Sequence, residues 1–222
     1  MVSEEAITPE NKGTIREEFL QKVDYLIEGL LRAKEYFDCY ETIYNQQYEN
    51  VKPLNVYPGF FQLCKQSFLY MPSVILAKMF DDNEKISLPK CRRILEQNWN
   101  SIVQNSADRT ILAEYDQYLE ASKDKKDKLK YIRDKLLAHN DPTAIHDDNL
   151  WATANMTVGD YWSLFRTAHE IIGILTMVTD MPTPVLGMGA PVELAHLVKI
   201  IESYPINKAE KKTVRRRADQ GG

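Results

Sequence analysis

Thr14-Ile15-Arg16-Glu17-Glu18-Phe19-Leu20-Gln21-Lys22-Val23-Asp24-Tyr25-Leu26 opens a stretch in which apolar side chains return every three or four positions. Ile15, Phe19, Val23, Leu26, Leu30, Ala33, Phe37, Tyr40 and Tyr44 all follow that rhythm, which is the period of one helix face. A helix from Thr14 to Tyr48, at about 1.5 Å per residue, is roughly 50 Å long. Thr14 and Glu17 have the spacing of a capping box and predict its start. Thr8-Pro9-Glu10 predicts a separate short helical start, with Pro9 tolerated at the first helical position. Pro53 and Pro58 close the element.

The same period continues downstream. A second helix is expected from Gly59 to Phe80, with Phe60, Cys64, Phe68, Ile75 and Met79 inward and Pro72 as an internal kink. Ser87-Leu88-Pro89 reads as a cap entering a third helix that turns Ile94, Leu95, Trp99, Ile102 and Val103 inward. A fourth starts near Ala107 and carries Ile111, Leu112, Tyr115, Tyr118 and Leu119. The charged run at Ser122 is either a solvated helical stretch or a brief break. A fifth helix follows over about 125–139, with Leu129, Ile132, Leu136 and Leu137 apolar. Residues 140–156 read as a loop anchored by Trp151. Thr157 then caps a helix carrying Tyr161, Phe165, Ala168, Ile172, Leu175 and Thr179, which Pro182 and Pro184 break. A last helix runs from Pro191 to Tyr204, with Leu194, Leu197, Val198 and Ile201 apolar. No strand alternation and no internal repeat is visible. The expected class is all-α, an up-and-down bundle of about six or seven helices with a long first helix. Residues 1–204 are expected to form one domain and residues 205–222 a basic, disordered tail.

Composition bounds the function. With 44% hydrophobic and 27% charged residues, the chain has the make-up of an ordinary soluble protein. Cys39, Cys64 and Cys91 are odd in number and far apart, which argues against a disulfide framework and for a reducing compartment. No apolar run approaches the roughly 20 residues of a membrane span, and the acidic first residues lack the features of a signal peptide. A cytoplasmic protein with no membrane association is expected. The net charge of −4 is uneven: residues 123–135 and residues 208–219 are each +4, which leaves −12 for the rest. A general nucleic-acid coat is excluded; local basic patches are not.

One segment concentrates chemistry. Tyr131-Ile132-Arg133-Asp134-Lys135-Leu136-Leu137-Ala138-His139-Asn140-Asp141-Pro142 begins as helix, ends in a stop signal, and places an arginine, an acid and a histidine within seven residues. Its plain reading is a histidine stabilising the negative end of a helix dipole, by roughly 0.3–1 kcal/mol, beside an arginine paired with a neighbouring acid. Six residues at about 100° each set Arg133 and His139 roughly 120° apart around the helix, so they do not share a face. A joint site forms more readily if two copies of the helix meet across a symmetric dimer.

Arg133-Asp134, four further residues and His139 together resemble the signature of the HEPN superfamily. The wording from Ile132 to His139 is closest to its abortive-infection U-type (AbiU-like) branch. Met79-Phe80-Asp81 followed by Ile86-Ser87-Leu88, and Thr157-Val158-Gly159-Asp160-Tyr161, are similar to two further stretches of that branch. Together these cover most of residues 15–180.

The resemblance implies an all-α bundle, usually a homodimer, whose active members are metal-independent RNases serving phage defence or toxin roles. Carried over, His139 is the general acid or base, Arg133 holds the scissile phosphate, and Asp134 orients one of them. Lys125, Lys126, Lys128 and Lys130 are the expected contacts to the RNA backbone. An antitoxin or defence partner is conceivable in such a system. A sister branch carries a modifiable tyrosine two residues past the histidine, whereas this chain has Asp141 there, so that form of regulation is not expected. The alternative is a non-catalytic helical dimerisation or binding module of the same fold.

The remaining candidates are weaker. His146, Asp147 and Asp148 with Asp141 match no ligand spacing, so no metal or cofactor is expected. His169 reads as a packed histidine and His196 as a surface one. Gly187-Met188-Gly189 follows no strand and is loop. Ser106, Ser163 and the cysteines have no base nearby in sequence. The basic tail around Arg215-Arg216-Arg217 is most simply solvated; contact with RNA is its sharper reading.

Overall fold

The computed structural model describes residues 9–49, 57–138, 150–185 and 189–203, and among these no strand occurs. The helices are α1 Pro9–Glu49, α2 Pro58–Phe80, α3 Leu88–Gln97, α4 Trp99–Ile102, α5 Ile111–Ala121, α6 Lys123–Ala138, α7 Leu150–Thr153, α8 Val158–Thr179 and α9 Gly189–Ser203. The all-α class and the long first helix are as expected. The start of α1 is not. Helix runs unbroken from Pro9 through Gly13 and Thr14, so Thr14 and Glu17 lie inside α1 rather than at its start. Proline at the first helical position makes the earlier start sufficient, because its missing N–H is one that no helix start can satisfy internally. Residues 204–222, which include the basic tail, lie outside the described residues.

The described residues fall into two compact units, one drawn from 1–34 and 71–186 and the other from 35–70 and 187–222. In the first, Phe19, Val23, Leu26, Leu30 and Ala33 of α1 are buried, as are Leu76, Met79 and Phe80 of α2. The two helices approach at Gly29, which has Ile75 and Met79 as its nearest neighbours. Ser87 caps α3 by accepting from the Lys90 amide, as the Ser-Leu-Pro pattern predicts. Asn98 separates α3 from α4, and α5 packs against both α3 and α8. The break at Ser122 is real but brief; its buried hydroxyl donates to the Leu119 carbonyl. Helix α8 is heavily buried. Its stripe of Tyr161, Leu164, Phe165, Ala168, Ile171, Ile172 and Leu175 is almost wholly inaccessible. Each large side chain of that stripe contributes about 1.5–3 kcal/mol by leaving water.

Arg16 closes two helix ends at once. It donates to the carbonyl oxygen of Ile102 at the end of α4 and, at 2.9 Å, to that of Thr179 at the end of α8. Carbonyls in a last helical turn have no intrahelical donor, and the guanidinium supplies one to each. Asp180 stops α8 in the left-handed conformation (φ 59°), and the Met181 amide returns to the Thr176 carbonyl.

In the second unit, Ile43, Phe61 and Val198 form a small core with Cys64, Phe68 and Leu194 packed against it. Tyr40 stacks between Phe37 and Tyr44, with ring centroids 5.9 and 5.8 Å apart. Here the inward residue of α2 is Phe61, while Phe60 is 55% exposed. Of the expected inward residues there, Cys64 and Phe68 do pack against this core, and Phe60 alone gives way to its neighbour Phe61.

Candidate active site

Helix α6 is built to be held on one side. Leu129, Ile132 and Leu136 are buried, so the flanking positions are brought against neighbouring elements. Lys126 and Arg133 are seven residues apart, two turns less about 20°, and share a face. Both meet the loop that leaves α2. Lys126 pairs with Asp82 at 3.2 Å and Arg133 with Asp81 at 2.5 Å. Asp82 also receives Arg93 of α3 at 3.5 Å.

The Arg133 guanidinium is held twice. Its Nη1 donates to Asp81 Oδ2, while Nε and Nη2 both donate to Asp134 Oδ1 at 3.0 and 2.9 Å. Those bonds use three of the five N–H groups of an arginine and leave two, one on each Nη. The two carboxylates differ in setting. The Asp81 side chain is 11% exposed and that of Asp134 is 52% exposed. Asp81 is also fixed from behind, since its Oδ1 accepts from the Asn83 amide at 2.9 Å and from the Asn83 side chain at 3.2 Å. This is an aspartate turn, with the side chain replacing a backbone partner. The Asn83 amide is the main influence holding the Asp81 carboxyl below its usual range. Partial burial works against it, and Arg133 adds to the lowering. A carboxylate just past a helix C-terminus is disfavoured by the dipole, and Arg133 offsets that repulsion.

Of the expected site residues, Arg133 and Asp134 are therefore together, and Asp81 joins them. His139 lies outside the described residues, as do Asp141, His146, Asp147 and Asp148. The four lysines divide. Lys126 is engaged by Asp82, and Lys128 lies 3.3 Å from Asp160 and 3.7 Å from Asp124. Lys125 and Lys130 form no ion pair among the described residues, and Lys130 is exposed. Asp160 also belongs to the capping box that starts α8, exchanging bonds with Thr157. Burial is the largest influence on its carboxyl and pushes it up. The Thr157 and Lys128 contacts together outweigh burial, so the net shift is downward.

Leu150–Thr153 form the short helix α7 where loop was expected, but Trp151 anchors its segment as expected. Its Nε1 donates to Tyr161 Oη at 3.0 Å and lies 3.4 Å from Ser73 Oγ; the Ser73 and Tyr161 hydroxyls bond to each other. His169 is half-buried, with Nε2 3.4 Å from the Pro184 carbonyl, which suits a packed histidine. His196 is exposed. Burial, the main cause for both thiols, pushes Cys39 up to about 11 and Cys91 up to about 12, so neither is a ready thiolate. No cluster of potential metal ligands occurs among the described residues, and none of their helices is long and apolar enough to cross a membrane.

Sequence reading alone did not pair Asp81 with Arg133. Met79-Phe80-Asp81 was visible as a helix exit, but 52 residues separate the two partners and no local pattern links them. Comparison with known proteins bears on the whole arrangement. No curated protein and no solved structure matches the chain. The HEPN family profile described as AbiU2 matches residues 16–180, from Arg16 near the start of α1 to the cap of α8, and spans the α2 exit and the motif helix. The chain belongs to the AbiU2 family of the HEPN superfamily.

Proposed function

We propose that the protein is a metal-independent endoribonuclease of HEPN type acting in phage defence or stress, with its site completed across a homodimer. The observation that carries this reading is Arg133. It is fixed by Asp81 and Asp134 six residues before His139 and retains two N–H groups for a phosphate oxygen. In the proposed reaction the ribose 2′-oxygen forms a bond to the adjacent phosphorus and the 5′-oxygen bond breaks. A base takes the 2′-proton, an acid protonates the leaving oxygen, and a 2′,3′-cyclic phosphate remains. His139 is proposed as the acid or base, a role typically contributing about 10²–10⁴-fold. Arg133 is proposed to stabilise charge on the phosphate, worth about 10²–10³-fold. Lys125 and Lys130 are the proposed backbone contacts, because Lys126 and Lys128 are engaged by acids. The test is RNA cleavage by purified protein in EDTA, with end-group analysis. His139→Ala and Arg133→Ala should each abolish the cyclic-phosphate product. Undiminished cleavage in both would sink the assignment.

A second reading is favoured by the same ion pairs. Arg133 joined to Asp81 ties α6 to the exit of α2, which is what a structural latch does in a non-catalytic dimerisation or binding module. That reading expects no cleavage at any protein concentration, together with reduced stability of Arg133→Ala.

A further inference from the structure

The two carboxylates on Arg133 are not equivalent, and the geometry points to an exchange: the scissile phosphate displaces Asp134 from the guanidinium while Asp81 remains as the positioning residue. This rests on the ribonuclease reading and specifies how its substrate engages. Arg133 with both aspartates carries a local charge of −1, which repels a phosphate diester. Losing one carboxylate returns the local charge to zero and frees the Nε and Nη2 hydrogens, a planar edge suited to two phosphate oxygens. Asp134 is the partner able to leave. It is half-exposed, and among the described residues it bonds Arg133 alone, through one oxygen. Asp81 is not free to leave, since it is largely covered and holds both the Asn83 amide and the Asn83 side chain. Anchored through Nη1, the guanidinium stays in place when its other partner goes.

The probe is a 2′-O-methyl RNA oligonucleotide, which lacks the attacking hydroxyl and stays intact, and its affinity is measured in EDTA beside cleavage of the matching unmodified RNA. Asp134→Asn removes the competitor and should tighten binding by about 1.5- to 5-fold, the range of an exposed ion pair. Asp127→Asn makes the same charge change on the same helix, away from Arg133, and should tighten it less. Asp81→Asn should lower kcat by about 10²-fold with little change in KM, as loss of positioning does. Asp81→Glu keeps the charge, should recover part of the rate, and carries the comparison if the asparagine variant unfolds. Equal tightening by Asp134→Asn and Asp127→Asn, or weaker binding by Asp134→Asn, overturns the exchange while wild-type cleavage leaves the ribonuclease reading standing. A wild-type protein that neither binds nor cleaves RNA overturns both.

Discussion

Tyr161→Phe is expected to destabilise the protein by about 1–3 kcal/mol, although it removes one oxygen atom and no packing. The Tyr161 ring is 1% exposed, and its hydroxyl is the node of a buried triangle. It bonds Ser73 of α2 and accepts from Trp151 Nε1 at 3.0 Å. In the variant, Trp151 keeps only its longer contact with Ser73 at 3.4 Å, and the wholly buried Ser73 loses this partner. Each bond to the Tyr161 hydroxyl contributes about 0.5–1.5 kcal/mol net, so losing the two costs about 1–3 kcal/mol. With a urea m-value of about 2–3 kcal/mol/M, the midpoint should fall by about 0.5–1 M at unchanged slope. Circular dichroism of urea unfolding reads this directly. The argument has a second consequence. Ser73→Ala deletes the other hydroxyl, so the double variant should be less damaged than the two single effects added, by about 1 kcal/mol. A drop below about 0.5 kcal/mol in Tyr161→Phe, or strict additivity in the double variant, would refute the triangle as a stabilising unit.

Acid should weaken the protein through Asp81 and Asp160. Both have folded-state pKa values below the ordinary range, so their stabilisation is present above about pH 3.9 and is lost as pH falls through the lower folded values. Urea midpoints measured between pH 5 and pH 2.5 should fall less steeply in Asp160→Asn than in wild type. Lys130→Ala should weaken RNA binding and reduce its salt slope by about 0.7, the single-strand value for one phosphate contact. Lys126→Ala should instead cost about 0–1 kcal/mol of stability, because its charge is held by Asp82. Arg16→Met should lower stability by about 1–3 kcal/mol through loss of donors to the ends of α4 and α8, read by thermal and urea unfolding.

Helix content was legible because a 3.6-residue period persists over whole elements, and Tyr161, Phe165, Ala168, Ile172 and Leu175 fell on the buried face as read. Caps were legible where the residue types are specific. Ser87 and Thr157 both cap helices, and Thr157 completes its box with Asp160. The same chemistry misled at Thr14. A capping pattern inside a strong helix has no end to cap, and Pro9 had already supplied a start. Phe60 and Phe61 are adjacent and equally apolar, so only packing against Ile43 and Val198 decides between them. Asp81 on Arg133 and Asp82 on Lys126 were invisible for a different reason. They join residues that neither a helix turn nor a loop brings together, and charge alone does not say which acid a lysine will meet.

The basic helix shows how far charge counting can mislead about function. Residues 123–135 carry seven cations, a concentration that reads as a track for RNA. In the fold, Lys123 meets Glu120, Lys126 meets Asp82, Lys128 meets Asp124 and Asp160, and Arg133 meets Asp81 and Asp134. Among the described residues, Lys125, Lys130 and Lys135 are left without a carboxylate partner. Lys135 instead lies 5.8 Å over the half-exposed Tyr131 ring. The helix thus presents its cations to the protein more than to solvent, and a polyanion gains only from those not already neutralised. A local site of this kind favours recognition of one positioned phosphate over tracking along a strand. Affinity should then depend on Arg133 and a few lysines, and salt should weaken binding less steeply than seven cations would suggest.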